Sequence, residues 1–583
     1  MRIALIYAPW LEERAHTEDV VHPPMGVWFI AATLAEAGHE VEVLNWHAQG
    51  RDPAACEEKL RELAPDLVGF TVLQANRHAA LDLARRAKAV LPGVRIVLGG
   101  VAATFLWKFF LEHYPAVDFV IRGEGEMAML ALAQRLESGE GRFDDLPNLA
   151  WRDGGAARAN ACAEPLADLD ALPNPARRYT YSHLALTRGC PGKCTFCGSP
   201  RFWGPKVRFH SPEYFVEQME LLHAKGVNHF YVSDDTFTLD RARARRVCEL
   251  ILERGLRVTW NAISRVDLVD DETLKLMRRA GCIQVSFGVE SASTEVRDFL
   301  GKRITDQAAK DAFAAAHRAG LLARAYFIYG NPGDSAATIR ENVALIKALK
   351  PLVVHFFVLT LYPGSALYDR YCQEFRLGDE TWRKPIEDVK YYELDPRMPE
   401  RTVYEWGRTM KEAHFGLVPA FALDIAENLD PDPGMAPLHA DFLTRLAMTL
   451  LQGDLAENPA IPDKHKTAAL LLERALRFAP EPTAYAALGA LLQQHTRYEE
   501  AGHILATGLT HFPKNPDIAL SLAVSLMNQG HFTAAQGYLA AFAHLPEALH
   551  LAAVCHHHLG DTAKAEAIMA GLQKAAQEKT GDS

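Results

Sequence analysis

Short β-rich runs alternate with helical patterns along two long stretches of this 583-residue chain, and that alternation restricts both to parallel strands flanked by helices. From residue 1 to about 140 the β-rich runs are RIALIY, HEVEVL, PDLVGFTV, VRIVLGG and VDFVIRGEGE, with helical segments such as WFIAATLAEAG between them. The pattern predicts an α/β domain with a doubly wound sheet. Its ligand site lies beyond the C-terminal strand ends, where chain order reverses. The residues there are Thr71, Leu73 and Gln74 in TVLQAN, Gly99 and Gly100 in GGVAAT, and Gly123, Glu124, Gly125 and Glu126 in RGEGE. Adjacent glycines let a backbone approach a bulky ligand, and they serve the tight turns of an empty sheet equally well.

Residues 141–182 are rich in Asp, Pro and Gly and read as a linker. A second series begins at His183, with HLALT, HFYVSD, VTWNAIS, IQVSFGVE, RAYFIYG and VVHFFVLT, and continues to about residue 370. Six strand-helix units predict a partial or complete barrel with its chemistry at the C-terminal strand ends. Residues 371–465 mix aromatic-rich and proline-rich pieces without a recognisable fold. Over 466–583, Pro480, Pro513 and Pro546 recur every 33 residues, each followed by a small-residue helical pattern; this resembles tetratricopeptide-type repeats, which bury a core only by stacking.

Composition excludes several function classes. No apolar run approaches the ~18–20 residues of a membrane span, and the N-terminal MRIALIYAPWLEER reads as a strand rather than a signal, so a cytoplasmic enzyme is expected. The net charge of −11 and the lack of a long basic run argue against a nucleic-acid partner. Nine cysteines, an odd number sparse outside one cluster, do not form a disulfide framework.

That cluster is LTRGCPGKCTFCGSP, which places Cys190, Cys194 and Cys197 at C-x3-C-x2-C directly after the first strand of the second series. A structural zinc site closes with four ligands, usually in two separated pairs. A cubane iron–sulfur cluster also takes four thiolates as a rule, so three leave one iron open to a substrate or cofactor.

At this loop, with Phe196 just before the third cysteine, the sequence resembles the radical S-adenosylmethionine (radical SAM) superfamily. The resemblance implies a 4Fe-4S cluster on the three cysteines, with the amino and carboxylate groups of SAM on the open iron. It also implies reductive cleavage to a 5′-deoxyadenosyl radical, fed by an external electron donor. Further implied SAM contacts are Ser233, Asp234 and Asp235 in YVSDDTF, where the family's Gly-Gly-Glu form is absent, Ser264 and Arg265 in NAISRVD, and Glu290 in VSFGVES. Each set also has a plainer reading as the polar end of a strand.

The domain order resembles the cobalamin-binding branch of that superfamily, on PPMGVWFIAATLAEAGHEVEVLN, PDLVGFTV, IVLGG and FVIRGEGE. The implied architecture is a Rossmann-like cobalamin domain, a radical SAM partial barrel and C-terminal helical repeats. The implied activity is a cobalamin-dependent radical SAM methyltransferase acting on an unactivated carbon, with oxidative cyclisation or rearrangement as the alternative. One SAM would methylate cobalt and a second would supply the radical. His47 in NWHAQG has the His and Gly spacing of a cobalt-ligand motif but lacks its Asp, so it reads as a loop histidine, with the TVLQAN loop over the lower cobalt face. The substrate is a small molecule or is bound to a carrier or peptide, and the repeats are a surface for a protein partner. Trp203 and Arg208 lie where they would shield SAM or contact cobalamin, or simply pack. Tyr326 and His355 are positioned to shape a substrate pocket, and the successive His556–His558 cannot converge on one ion.

Overall fold

The first β/α series builds a seven-stranded sheet in the order β2-β1-β3-β4-β5-β6-β7. Its strands are β1 (Arg2–Tyr7), β2 (Glu40–Asn45), β3 (Leu67–Thr71), β4 (Arg95–Gly99), β5 (Phe119–Ile121), β6 (Leu149–Asp153) and β7 (Ala156–Ala159). β1 pairs in parallel with β2 on one side and β3 on the other, so the chain reverses direction across the sheet at β1. The central strands are continuous apolar runs because helices cover both faces: β3, LVGFT, is buried over its first four residues. On one face Leu5, Val97 and Ile121 pack against Ala31 and Leu34 of helix Met25–Glu36 and against Met129 and Leu132 of helix Glu126–Ser138.

Within the stretch read as a linker, 141–182, residues 149–159 extend this sheet, because β6 and β7 form an antiparallel hairpin against β5. Its two-residue turn is Gly154-Gly155, with φ of 55° and 90°, the left-handed pair that a tight hairpin turn requires.

The structure is a computed structural model that describes residues 1–9, 25–46, 52–386, 388–452 and 454–580. It comprises two units: Met1–Ala315 with Ala323–Ala413, and Ala316–Leu322 with His414–Ser583. The first unit also holds the second β/α series, a six-stranded sheet in the order β15-β14-β13-β12-β11-β8, with β8 and β15 as its open edges. Its strands are β8 (His183–Leu184), β11 (His229–Val232), β12 (Thr259–Ser264), β13 (Cys282–Glu290), β14 (Leu322–Tyr329) and β15 (Val353–Val358). Along β12 the residues Trp260, Ala262 and Ser264 are buried while Thr259, Asn261 and Ile263 are half-buried, so one face is packed and the other opens on an inner space.

The expected strand HLALT is broken. After β8 the chain leaves the sheet, and Thr187–Arg188 (β9) pairs antiparallel with Arg208–Phe209 (β10), a ribbon that encloses the cysteine loop. A second ribbon, Thr360–Leu361 (β16) with Val389–Lys390 (β17), lies within the stretch that follows the six strands. That stretch is tied to the first sheet's domain at two points. A Cβ at Gly364 (φ +90°) would overlap the Phe105 ring. The fully buried Arg77 donates to the carbonyls of Trp382 (3.3 Å) and Lys384 (3.1 Å) and stacks on the Trp382 ring.

The second unit is helical, including Ala436–Leu451, Lys464–Phe478, Pro482–Gln494, Tyr498–His511, Pro516–Asn528, Phe532–Leu539, Pro546–His558 and Thr562–Thr580. The prolines that start helices are Pro482, Pro516 and Pro546, at first helical positions where no N–H is needed; Pro480 and Pro513 lie in the preceding loops. Successive helices pack closely: a Cβ at Gly489 would lie 2.6 Å from Leu505. Among the described residues no helix is long and apolar enough to cross a membrane. His558 stacks on Phe532 and His556 pairs with Asp561, so these two side chains turn to different partners.

Candidate functional site

The cysteine loop leaves β9 and is pinned to the turn after helix Thr294–Phe299. Thr195 N donates to Leu300 O (2.9 Å), Thr195 Oγ1 donates to Phe299 O (3.0 Å), and Leu367 N donates to Thr195 O (2.9 Å). Gly301 (φ +66°) makes this contact possible, since a Cβ there would lie 2.5 Å from Lys193 O. Cys190, Cys194 and Cys197 are free thiols, each half-buried. A Cβ at Gly192 would lie 3.2 Å from Cys190 Sγ, 3.9 Å from Cys194 Sγ and 4.0 Å from Arg265 Nη1, so two thiols and a guanidinium surround one point. Burial pushes the Cys194 thiol up and the Cys197 thiol up to about 12, so deprotonation of these donors awaits a metal. No group of three ligands converges on a single-ion position among the described residues. A cubane does not ask for that, because it spreads its thiolates over separate irons, and three unpaired thiols on one loop fit it.

The strand-end residues divide into those turned toward this loop and those turned away. Asp234 is turned away. Its buried carboxylate accepts from Leu186 N (3.0 Å), Thr187 N (2.6 Å) and Thr187 Oγ1 (2.5 Å), and so diverts the chain from β8 into β9. Burial raises its pKa to about 6. It is a tether, not the ligand contact expected. Ser264 is likewise engaged within the fold, its hydroxyl paired with that of buried Thr238. Asp235 accepts from Ser199 Oγ (2.5 Å), just past Cys197, and is the acid of the pair that faces the loop; Ser233 shares a hydrogen bond of 3.0 Å with His183. Phe196 is half-buried between the second and third cysteines.

Arg265 and Glu290 each have a partner that the sequence reading missed. Asp267 holds Arg265 through Nε (2.9 Å) and Nη2 (2.9 Å), which leaves Nη1 toward the cysteines. Glu290, with φ of +66°, folds its carboxylate over Gly288 onto Lys302 Nζ (3.0 Å), both side chains under 10% exposed. A partner two residues along a turn was legible at Asp267; Lys302, on the turn that pins the cysteine loop, was not.

A cavity of about 240 Å³ opens at the C-terminal ends of β1, β3, β4 and β5. Thr71, Leu73, Gly99, Gly100, Gly123, Glu124, Gly125 and Glu126 line it, together with Met25, Ile30 and Met129. Gln74 does not: its side chain is buried beside the loop, and Nε2 has no hydrogen-bond partner among the described residues. His47 lies outside the described residues. The carboxylates of Glu124 and Glu126 are paired with arginines of the β9/β10 ribbon. Arg188 Nη2 donates to Glu126 (2.5 Å), and Arg208 Nη2 pairs with Glu124 (2.6 Å). The remaining wall comes from Phe202, Trp203 and Arg188, which flank the cysteine loop. Apolar sheet walls and open space over Gly99 fit the organic part of a large flat cofactor.

Residues 184–346 match the radical SAM superfamily and residues 15–133 the B12-binding domain. An uncharacterized methyltransferase of Pyrococcus horikoshii is 30% identical over 410 residues, which cover 68% of this chain and 88% of that protein. This chain belongs to the cobalamin-binding radical SAM enzymes. The anaerobic magnesium-protoporphyrin IX monomethyl ester cyclase of Cereibacter sphaeroides is 29% identical to this radical SAM enzyme over 381 residues, 61% of each chain. In fold the enzyme is similar to the radical SAM methyltransferase TsrM from Kitasatospora setae, solved with cobalamin and a 4Fe-4S cluster bound. The TM-score is 0.56 and the identity 19%, covering 64% of this chain and 75% of that one. The cofactor set of this family is therefore a 4Fe-4S cluster, SAM and cobalamin, and Cys190, Cys194 and Cys197 are the thiols available to the cluster.

Proposed function

We propose that this radical SAM enzyme is a cobalamin-dependent methyltransferase that places a methyl group on an unactivated carbon. One observation carries the reading: the helix immediately after Cys197, through Phe202 and Trp203, is also a wall of the cavity in the B12-binding domain. A radical source and a methyl donor that both border one short helix suit a reaction in which both act on the same carbon. When bound, the cluster supplies the electron that cleaves the SAM sulfonium and cobalamin supplies a methyl-carrying metal, so the protein's task is positioning.

The chain's own residues divide that task. The three cysteines hold the cluster, and Asp235 and the Nη1 edge of Arg265 flank it with an acceptor for the SAM ammonium and a donor for its carboxylate. Asp267 keeps Arg265 in that orientation. The Glu290–Lys302 pair adds a neutral, buried floor beside Cys194. Thr71, Leu73, Gly99, Gly100, Gly123 and Gly125 bound the cobalamin cavity. The substrate is a small molecule, free or carrier-bound. The helical pairs of the second unit, starting at Pro482, Pro516 and Pro546, are tetratricopeptide-like repeats that present a surface to a protein partner.

The test is anaerobic reconstitution with iron, sulfide and cobalamin, followed by SAM and a strong reductant, with 5′-deoxyadenosine and S-adenosylhomocysteine quantified and Cys194→Ala as control. Both products, with deoxyadenosine lost in the control, support methyl transfer. Deoxyadenosine alone, with cobalamin bound, moves the assignment to oxidative cyclisation, the activity named for the Cereibacter relative.

A further inference from the structure

Arg188 stands two residues before Cys190, and each of its contacts joins the cysteine loop to the cobalamin cavity. Its guanidinium donates to Glu126 Oε1 at 2.5 Å, at the start of helix Glu126–Ser138, and to Glu124 Oε1 at 3.4 Å, on the loop between β5 and that helix. One ring beside it is Phe29, on the helix that walls the cavity, with a centroid 5.3 Å away; the other is Trp203, on the helix after Cys197, at 5.4 Å. Arg208, directly across the ribbon from Arg188, repeats the link: it pairs with Glu124 at 2.6 Å and donates to Leu166 O at 2.8 Å, while Leu166 N donates to Glu124 Oε2 at 3.1 Å. The side chains of Arg188 and Glu126 are 8% and 6% exposed. Two arginines and two glutamates leave no net charge, so the group is not an anion site. A planar fork that pairs and stacks at once is a task for arginine and not for lysine.

Resting on the methyltransferase reading above, we propose that Arg188 is a positioning residue that fixes the separation between the cobalamin cavity and the cluster loop. Two cofactors that act in turn on one carbon need a reproducible spacing, since a shift of about 1 Å in reacting groups can cost on the order of 100-fold in rate. A buried ion pair sandwiched by two rings sets such a spacing more narrowly than apolar contact, which slides.

The experiment uses the full chain with Arg188→Gln and Arg188→Lys. With cluster and cobalamin both in paramagnetic states, pulsed dipolar EPR reads the distribution of their separation. On the cofactor-free chain, hydrogen exchange is followed in peptides spanning 122–126 and 186–190. Expected are wild-type iron content, a separation distribution at least about twice as broad in the cobalamin-loaded fraction, and exchange about 10-fold faster in those two segments with β12 and β13 unchanged. Wild-type distributions and wild-type exchange in both variants overturn the proposal. If Arg188→Gln does not fold, Arg208→Gln, which unties Glu124 and Leu166 but leaves Glu126 on Arg188, is read the same way and should show a smaller effect of the same kind. A wild-type chain that takes up a cluster but no cobalamin refutes the functional reading instead, and the exchange measurement then decides the link by itself.

Discussion

Replacing Gly301 by alanine tests whether the cysteine loop is held by the turn that follows helix Thr294–Phe299. Gly301 sits at φ +66°, and an added Cβ would lie 2.5 Å from Lys193 O and 3.4 Å from Thr195 N. Ordinary contact near 3.5 Å requires a shift of about 1 Å, and Lys193 is backbone with no rotamer to relieve it. The left-handed conformation adds roughly 1–2 kcal/mol for alanine, and loss of the two Thr195 hydrogen bonds adds about 1 kcal/mol each, or about 3–4 kcal/mol in all. That strain falls on the loop carrying Cys194, so the variant should fold with wild-type circular dichroism yet retain about half or less of the wild-type iron after reconstitution. Iron and sulfide per chain, with the EPR spectrum of the reduced cluster, are the measurements. Full iron with an unchanged spectrum would refute the argument that this turn sets the loop.

Lys302→Met should destabilise the enzyme by about 3–5 kcal/mol in chemical denaturation, because it strands a buried carboxylate, and Glu290→Gln in the same chain should restore most of the loss. No recovery in the double variant would mean the two do not act as a pair. Asp267→Ala should lower apparent SAM affinity about 10-fold, measured as deoxyadenosine formed against SAM concentration, while iron content stays constant; an unchanged SAM dependence removes Asp267 from the site. Burial acts to raise the pKa of Glu124, but hydrogen bonding from Arg208 and the charges of Arg188 and Arg208 outweigh it and hold the group below its ordinary 4.5. A depressed folded pKa makes this stabilisation complete above pH 4.5 and lost as the pH falls through the lower folded value. The stability gap between wild type and Glu124→Gln should therefore be flat near neutral pH and close in acid, and a gap that widens in acid contradicts the sign.

Local signals in the chain were read correctly where the chemistry is itself local. The C-x3-C-x2-C spacing places three thiols on one loop whatever the surrounding fold, and six strand runs separated by helices specify parallel pairing. The Gly154-Gly155 hairpin is also legible, since two glycines between short β-capable runs are a turn signal, although the neighbouring Asp and Pro residues mimic a linker. The adjacent Asp234 and Asp235 were not separable by sequence. Both sit just past a strand end, and only packing shows that the first is consumed by the N–H groups of Leu186 and Thr187.

The sequence by itself determined the three thiols on one loop, through the cysteine spacing, and the two β/α domains, through their periodicity, because both depend on residues close together along the chain; the cofactor class came with the family resemblance that those motifs carry. Tertiary structure decided which polar groups face the site. Lys302 finds Glu290, Trp382 receives Arg77, and Glu124 and Glu126 pair with Arg208 and Arg188. Buried charges and donors must be satisfied, and the partner nearest in space is set by how the domains pack, which no local pattern records.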